Sequence, residues 1–149
     1  YSFDKDNVAA YTDMPKAMGL MGKFTDEKLV DDAGASIKFL KSQKNVNGKI
    51  GATGFCMGGG LALMVACQRP DAVAACAPFY GGMRPDTPVD WDAIAAVVEG
   101  HYAENDRGTA SPEAARELEG ILRGKGKSAT GVKDEFPLDQ STENAQSWT

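Results

Sequence analysis

Residues 47–60 read NGKIGATGFCMGGG, and the fold turns on how this stretch is read. Asn47 and Gly48 signal a turn, and residues 49–55 form a short run carrying Ile50 and Phe55 that ends in glycine and cysteine. It reads as a buried strand entering a sharp turn. Gly54, Phe55, Cys56, Met57 and Gly58 then spell G-x-C-x-G, the nucleophile-elbow pattern G-x-S-x-G with cysteine in the serine position. Residues 61–68 are apolar nearly all round, as suits a helix buried beneath a sheet, and Arg69, Pro70 and Asp71 stop it. An elbow holds its central residue in a strained conformation, so Gly54 and Gly58 are expected to let strand and helix pass closely, with Gly59 and Gly60 extending the clearance. The helix N-terminus favours a Cys56 thiolate, and the Met57 amide is placed as one donor of an oxyanion hole. Without the strand before and the helix after it, the same five residues would equally describe a plain tight crossing.

Working outward, residues 73–80 form the next strand, and Gly81, Gly82 and residues 85–88 a loop. Residues 94–102 read as a short turn of helix and another buried strand, with Asn105 and Asp106 at its carboxyl end. Ser111 as N-cap and Pro112 at the first helical position open a helix whose Ala115, Leu118, Ile121 and Leu122 share a face and which ends at residues 124–127. Upstream, Thr25 is an N-cap, Asp26 and Glu27 suit the positive end of a helix dipole, and Leu29, Val30, Ala33, Ile37 and Leu40 fall on one face, predicting a helix over 26–42. Residues 1–23 read as loop with a short helical piece, Pro15 breaking anything longer, and residues 128–149 are polar and weakly periodic. Strands alternating with helices at this rhythm predict an α/β domain over 1–149, a parallel sheet with right-handed crossovers and helices on both faces.

The composition excludes several classes. With 42% hydrophobic and 25% charged residues, one folded unit is expected. A net charge of −5 without clustered Lys and Arg argues against a nucleic-acid partner and for a small-molecule one. No apolar run approaches the ~20 residues that span a bilayer, and residues 1–10 lack a basic region followed by an apolar stretch, so no membrane association is expected and the cytoplasm is the expected location. Cys56, Cys67 and Cys76 lack the spacing of a disulfide framework or a zinc site. Cys67 and Cys76 each lie inside an apolar element, where a free cysteine behaves as a small hydrophobe. Asp106 is either a turn former or the acid of a triad; the chain order Cys then Asp is the order α/β-hydrolases use, and favours the acid.

At this point a family resemblance carries further. The block NGKIGATGFCMGGG followed by LAL, PFYGGM from Pro78 and GHYAEND from Gly100 closely resemble the corresponding blocks of dienelactone hydrolases, also called carboxymethylenebutenolidases, over residues 24–127. The resemblance implies a partial α/β-hydrolase fold and a Cys-His-Asp triad acting on an ester or lactone, with no metal or organic cofactor. By position it makes Cys56 the nucleophile and Asp106 the acid.

The departures bear on activity. The family's catalytic histidine follows the last strand in a Gly-His block, and residues 127–136 contain none. The single histidine, His101, matches the non-catalytic histidine of the GHYAEND block, precedes Asp106 and is expected well upstream of the crevice. Residues 145–149, AQSWT, resemble the start of the family's final helix. A full family member places several strands before the helix at Asp26, and residues 1–23 are too few to hold them; the second oxyanion donor of the family comes from that region. The strand at 49–55 is then expected at an exposed sheet edge that favours self-association. Glu99 stands where an apolar strand residue is expected and, if buried, would need a partner. Three readings follow: an impaired cysteine ester hydrolase, a non-catalytic remnant of the fold, or a thiol module that reacts with electrophiles.

Overall fold

Thr25 turns its side chain back onto the chain: its Oγ1 accepts from the Lys28 amide at 3.3 Å, and helix α2 (Asp26–Lys41) starts there with Asp26 and Glu27 in its first turn. This is one of two compact units, Tyr1–Ile50 and Gly51–Thr149, in a computed structural model that describes residues 12–83, 87, 89–127, 129 and 130. The readings that concern residues 1–11, part of the 85–88 loop and the tail beyond Thr130, including AQSWT, lie outside the described residues. The first unit also holds α1 (Met14–Met21), the short helical piece expected before Lys23. Asp13 caps α1, and Pro15 sits in its first turn, where its missing N–H has no helical partner to lose. Proline therefore starts this helix as well as limiting it. Of α2's apolar stripe only Val30 is fully buried, and Phe39 and Leu40 are exposed.

The second unit carries β1 (Ile50–Phe55) from Gly51 onward, α3 (Met57–Gln68), β2 (Val73–Phe79), β3 (Val97–Glu99), a 3-10 turn (Gly108–Ala110), α4 (Pro112–Gly124) and β4 (Ala129–Thr130). The strands lie side by side in the order of the chain, β1-β2-β3-β4. β2 and β3 pair in parallel with Ala75 opposite Val97 and Cys76 opposite Val98, and β3 and β4 pair in parallel with Val98 opposite Ala129. A bridge between Phe79 and His101 prolongs the β2–β3 pairing past the end of regular strand. Parallel neighbours need crossovers, and α3 supplies the first and α4 the last.

The core lies between the sheet and these helices. Leu63 of α3, Ile94 before β3 and Leu122 of α4 are fully enclosed, each burial worth about 1.5–3 kcal/mol. α4 begins as expected, with Ser111 Oγ accepting from the Ala114 amide at 3.2 Å and Pro112 next. Its Leu118 and Leu122 line a narrow gap with Val98, Gly100 and Ala129. Cys76 is on the same face as Val98, its register partner, and its thiol feels the charge of Cys67 on α3. Both helices therefore cover one face of this sheet. Strand alternation puts Phe55, Phe79, Val97 and His101 on the other. There the Phe55 and Phe79 rings stack at 4.8 Å between centroids, and Val97 remains 52% exposed. Glu99 is half-buried and belongs to the same face, so it avoids the full desolvation expected for a buried carboxylate.

Candidate active site at the strand-to-helix elbow

β1 ends at Phe55 and α3 begins at Met57, leaving Cys56 alone between them with φ 54° and ψ −124°. Among the described non-glycine residues only Cys56 and Tyr80 have positive φ. Such a backbone costs of order 1–3 kcal/mol and persists only where its surroundings hold it. Here they do. The Cys56 amide donates to the Phe79 carbonyl at 3.0 Å, and the Cys56 carbonyl accepts from the Gly59 amide at 2.9 Å. The side chain is exposed and makes no capping hydrogen bond to α3, which leaves the thiol available.

The glycines around Cys56 divide by role. A Cβ on Gly54 would collide with the Gly58 carbonyl, and one on Gly60 would stand 2.5 Å from the Gly82 oxygen. A Cβ on Gly58 would meet nothing within 4 Å, so clearance there does not require glycine. The sequence missed the matching half of the crossing: a Cβ on Gly81 would run into the Cys56 carbonyl and the Gly59 Cα. Gly81 and Gly82 are not merely loop residues; they are the surface on which the elbow rests. Two glycines directly after a strand were the available signal.

Tyr102 was likewise missed. Buried beside β3, it donates from its hydroxyl to the Gly81 carbonyl at 3.0 Å and so fixes the segment under the elbow. Burial, aided by the nearby Cys76, pushes its phenol up to about 12.

The Met57 amide occupies the first position of α3 and has no acceptor among the described residues. It therefore points its donor outward with the other unsatisfied amides of that helix end. Cys67 and Cys76 are in a contrasting state. Burial first, and then the neighbouring Asp90, raises Cys67 to about 11; burial and then Cys67 raise Cys76 to about 12. Both stay thiols at neutral pH, out of reach of a reactant.

Asp106 lies half-buried after β3, in a turn where its amide donates to Ala103 O at 3.3 Å. Its Oδ1 accepts from the Arg107 amide at 2.8 Å. His101 is not upstream of the site as the strand rise suggested. The register pairs it with Phe79, whose carbonyl holds Cys56, so it stands near the level of the elbow, two strands across. Its ring lies flat on Phe79, and Phe79 in turn stacks on Phe55, so aromatic carbon separates the imidazole from the elbow. No group of three His, Cys, Asp or Glu able to hold a metal ion occurs among the described residues. Nor, among them, is any helix long and apolar enough to cross a membrane. A concavity of about 630 Å³ is lined by Met83, Trp91, Tyr102, Leu118 and Ile121, among others, and Cys56 is not one of its lining residues.

A parallel sheet in which one strand passes through a strained elbow into a buried helix is the arrangement of the α/β-hydrolases. The comparisons with known proteins agree. The family model described as "Dienelactone hydrolase family" matches residues 3–130, and the chain belongs to that family. It is 38% identical over 76 residues, 48% of the chain, to a protein of Aquifex aeolicus named "Putative carboxymethylenebutenolidase". A crystal structure of a "Putative Dienelactone Hydrolase" from Klebsiella pneumoniae superposes on 73% of the chain with a TM-score of 0.61 at 20% identity, a likeness of fold. The solved structure named m3DLH superposes on 78% of the chain with a TM-score of 0.59 at 28% identity. The chain spans 33% of the Aquifex protein's length, and 48% and 47% of the two solved chains.

Proposed function

We propose that the chain carries the nucleophile of a carboxylic ester or lactone hydrolase, with Cys56 as that nucleophile. The observation that carries the proposal is the left-handed backbone of Cys56 at the strand-to-helix junction, with an exposed thiol beside the Met57 amide. The Cys56 thiolate attacks the ester carbonyl carbon, and a sulfur–carbon bond forms while the carbonyl oxygen gathers charge. The Met57 N–H donates to that oxyanion. Collapse expels the alcohol, which takes up a proton, and leaves a thioester on Cys56. Water then adds to the thioester, releasing the carboxylic acid and restoring the thiol. The role assigned to Asp106 is to orient a protonated base.

Within this chain no histidine is placed to be that base, since the single histidine, His101, is stacked in the aromatic ladder. The proposal therefore includes impairment: acylation without efficient turnover. A triad lacking a member keeps only what its oxyanion donor and binding contribute, roughly 10³–10⁴-fold over water. The small-ester substrate class and a cytoplasmic location belong to the same reading. Stopped-flow release of nitrophenol from 4-nitrophenyl acetate tests it. A burst equal to one thiol per chain followed by slow release is the expected trace. Steady turnover at roughly 1 to 1,000 per second would contradict impairment, and no release above the Cys56→Ala background would contradict the nucleophile.

A further inference from the structure

Tyr80 is the other described non-glycine residue with a positive φ, at 38°. Its two neighbours in the chain both touch the elbow: the Phe79 carbonyl accepts from the Cys56 amide, and Gly81 packs on the Cys56 carbonyl. Strand alternation would turn residue 80 to the face opposite Phe79, toward the crossing of Gly59 with Gly81, where not even a Cβ fits on Gly81. The left-handed backbone redirects it. Its ring instead comes to 6.3 Å from the Phe55 ring, tilted at 53°, and stays 45% exposed. Phe55, the residue immediately before the nucleophile, is 59% exposed. The hydroxyl of Tyr80 has no hydrogen-bond partner among the described residues, so polar pairing does not explain the strain.

Resting on the assignment of Cys56, we propose that Tyr80 is a specificity-determining residue: with Phe55 it forms an open aromatic corner beside the thiol, which receives an acyl group bearing an aromatic ring. Two exposed rings at an angle offer one face and one edge to a third ring, the geometry aromatic contacts favour. The strained backbone is then what aims the ring at the site.

The test compares alkylation of Cys56 by iodoacetamide and by N-benzyl-iodoacetamide, reactions in which the thiolate carbon–sulfur bond forms as iodide leaves. They require an accessible thiol and no catalytic base. The readout is the ratio of the benzyl rate to the parent rate, with the adduct mapped by mass spectrometry. Tyr80→Phe should keep the wild-type ratio, and Tyr80→Gly should lower it about threefold to tenfold, the scale of one aromatic contact. Glycine accepts positive φ, so relief of strain should offset part of the lost Phe55 contact and Tyr80→Gly should stay folded, which its thermal midpoint checks. An unchanged ratio in Tyr80→Gly with the adduct on Cys56 would overturn the role of Tyr80 alone. An equal fall in ratio in Tyr80→Phe would overturn the ring as its cause. Adducts on Cys67 or Cys76 in the wild-type chain would overturn the Cys56 assignment, and this inference with it.

Discussion

The imidazole of His101 lies 4.2 Å from the ring of Phe79 with 7° between their planes. Its backbone is tied to the same strand end, the His101 amide donating to Pro78 O at 2.9 Å and the Tyr80 amide donating to His101 O at 2.7 Å. The residue that could be mistaken for a catalytic base is thus a rung of the sheet. Its ring extends the stack that begins at Phe55.

Replacing His101 should therefore affect stability and not chemistry. His101→Phe preserves a flat ring and should leave denaturant stability within about 0.5 kcal/mol, whereas His101→Ala loses one stacked contact, about 0.5–1.5 kcal/mol. Urea unfolding measures both. Loss of the nitrophenyl acetate burst in His101→Phe, with stability intact, would make His101 part of the reaction.

The crossing at Gly81 should be intolerant of any side chain. Gly81→Ala drives a Cβ into the Cys56 carbonyl, so the elbow must shift, and a destabilisation of about 1–3 kcal/mol is expected for overpacking. Tyr102→Phe leaves the buried Gly81 carbonyl without its donor and should cost about 1–3 kcal/mol. Both variants should slow Cys56 alkylation, because each moves the segment that holds the elbow. Normal alkylation in a destabilised Gly81→Ala chain would show that the elbow does not rest on it.

Much of this arrangement is legible in the sequence because local signals agree with tertiary ones. Thr25, Ser111 and Pro112 announce their helices through backbone chemistry that needs no distant partner. The elbow is legible because Gly54 and Cys56 stand between a strand and an apolar helix. The start of α3 is less so: Gly58, Gly59 and Gly60 have poor helix propensity, and a reading of the apolar residues alone begins the helix at Leu61, four residues late. Glycine is retained there because Gly59 and Gly60 pass against Gly81 and Gly82, a contact made by a distant part of the chain. The same holds for β4, whose two residues are strand only because β3 lies beside them. Parallel register decided the position of His101, and no count of strand residues from β3 alone could supply it.

High pH should unfold the second unit before it damages the backbone. Cys67, Cys76 and Tyr102 all have folded-state values above their ordinary ones: about 11 and about 12 against 9.0 for the thiols, and about 12 against 10.0 for the phenol. Each is neutral when protonated, so between the ordinary and the raised value the folded chain holds protons that the unfolded chain releases. The contribution of these three groups should accordingly be flat below about pH 9 and fall from there through about 12. Urea midpoints at pH 8, 9.5 and 10.5 check the sign; a midpoint that rises over this range would contradict the burial of these groups.

Self-association is also expected. β1 has a neighbour only on its β2 side among the described strands, and a strand edge offers unpaired N–H and C=O groups to another chain. Sedimentation velocity over a wide concentration range should show mass increasing with concentration. A monomer throughout would mean that the β1 edge is covered.

The central claim is that Cys56 alone among the three cysteines carries the acyl group. Brief treatment with 4-nitrophenyl acetate at neutral pH, acid quenching and peptide mass mapping should place a single acetyl thioester on Cys56, with Cys67 and Cys76 unmodified. An acetyl group on Cys67 or Cys76, or a chain whose Cys56 remains free while nitrophenol is released, would contradict it.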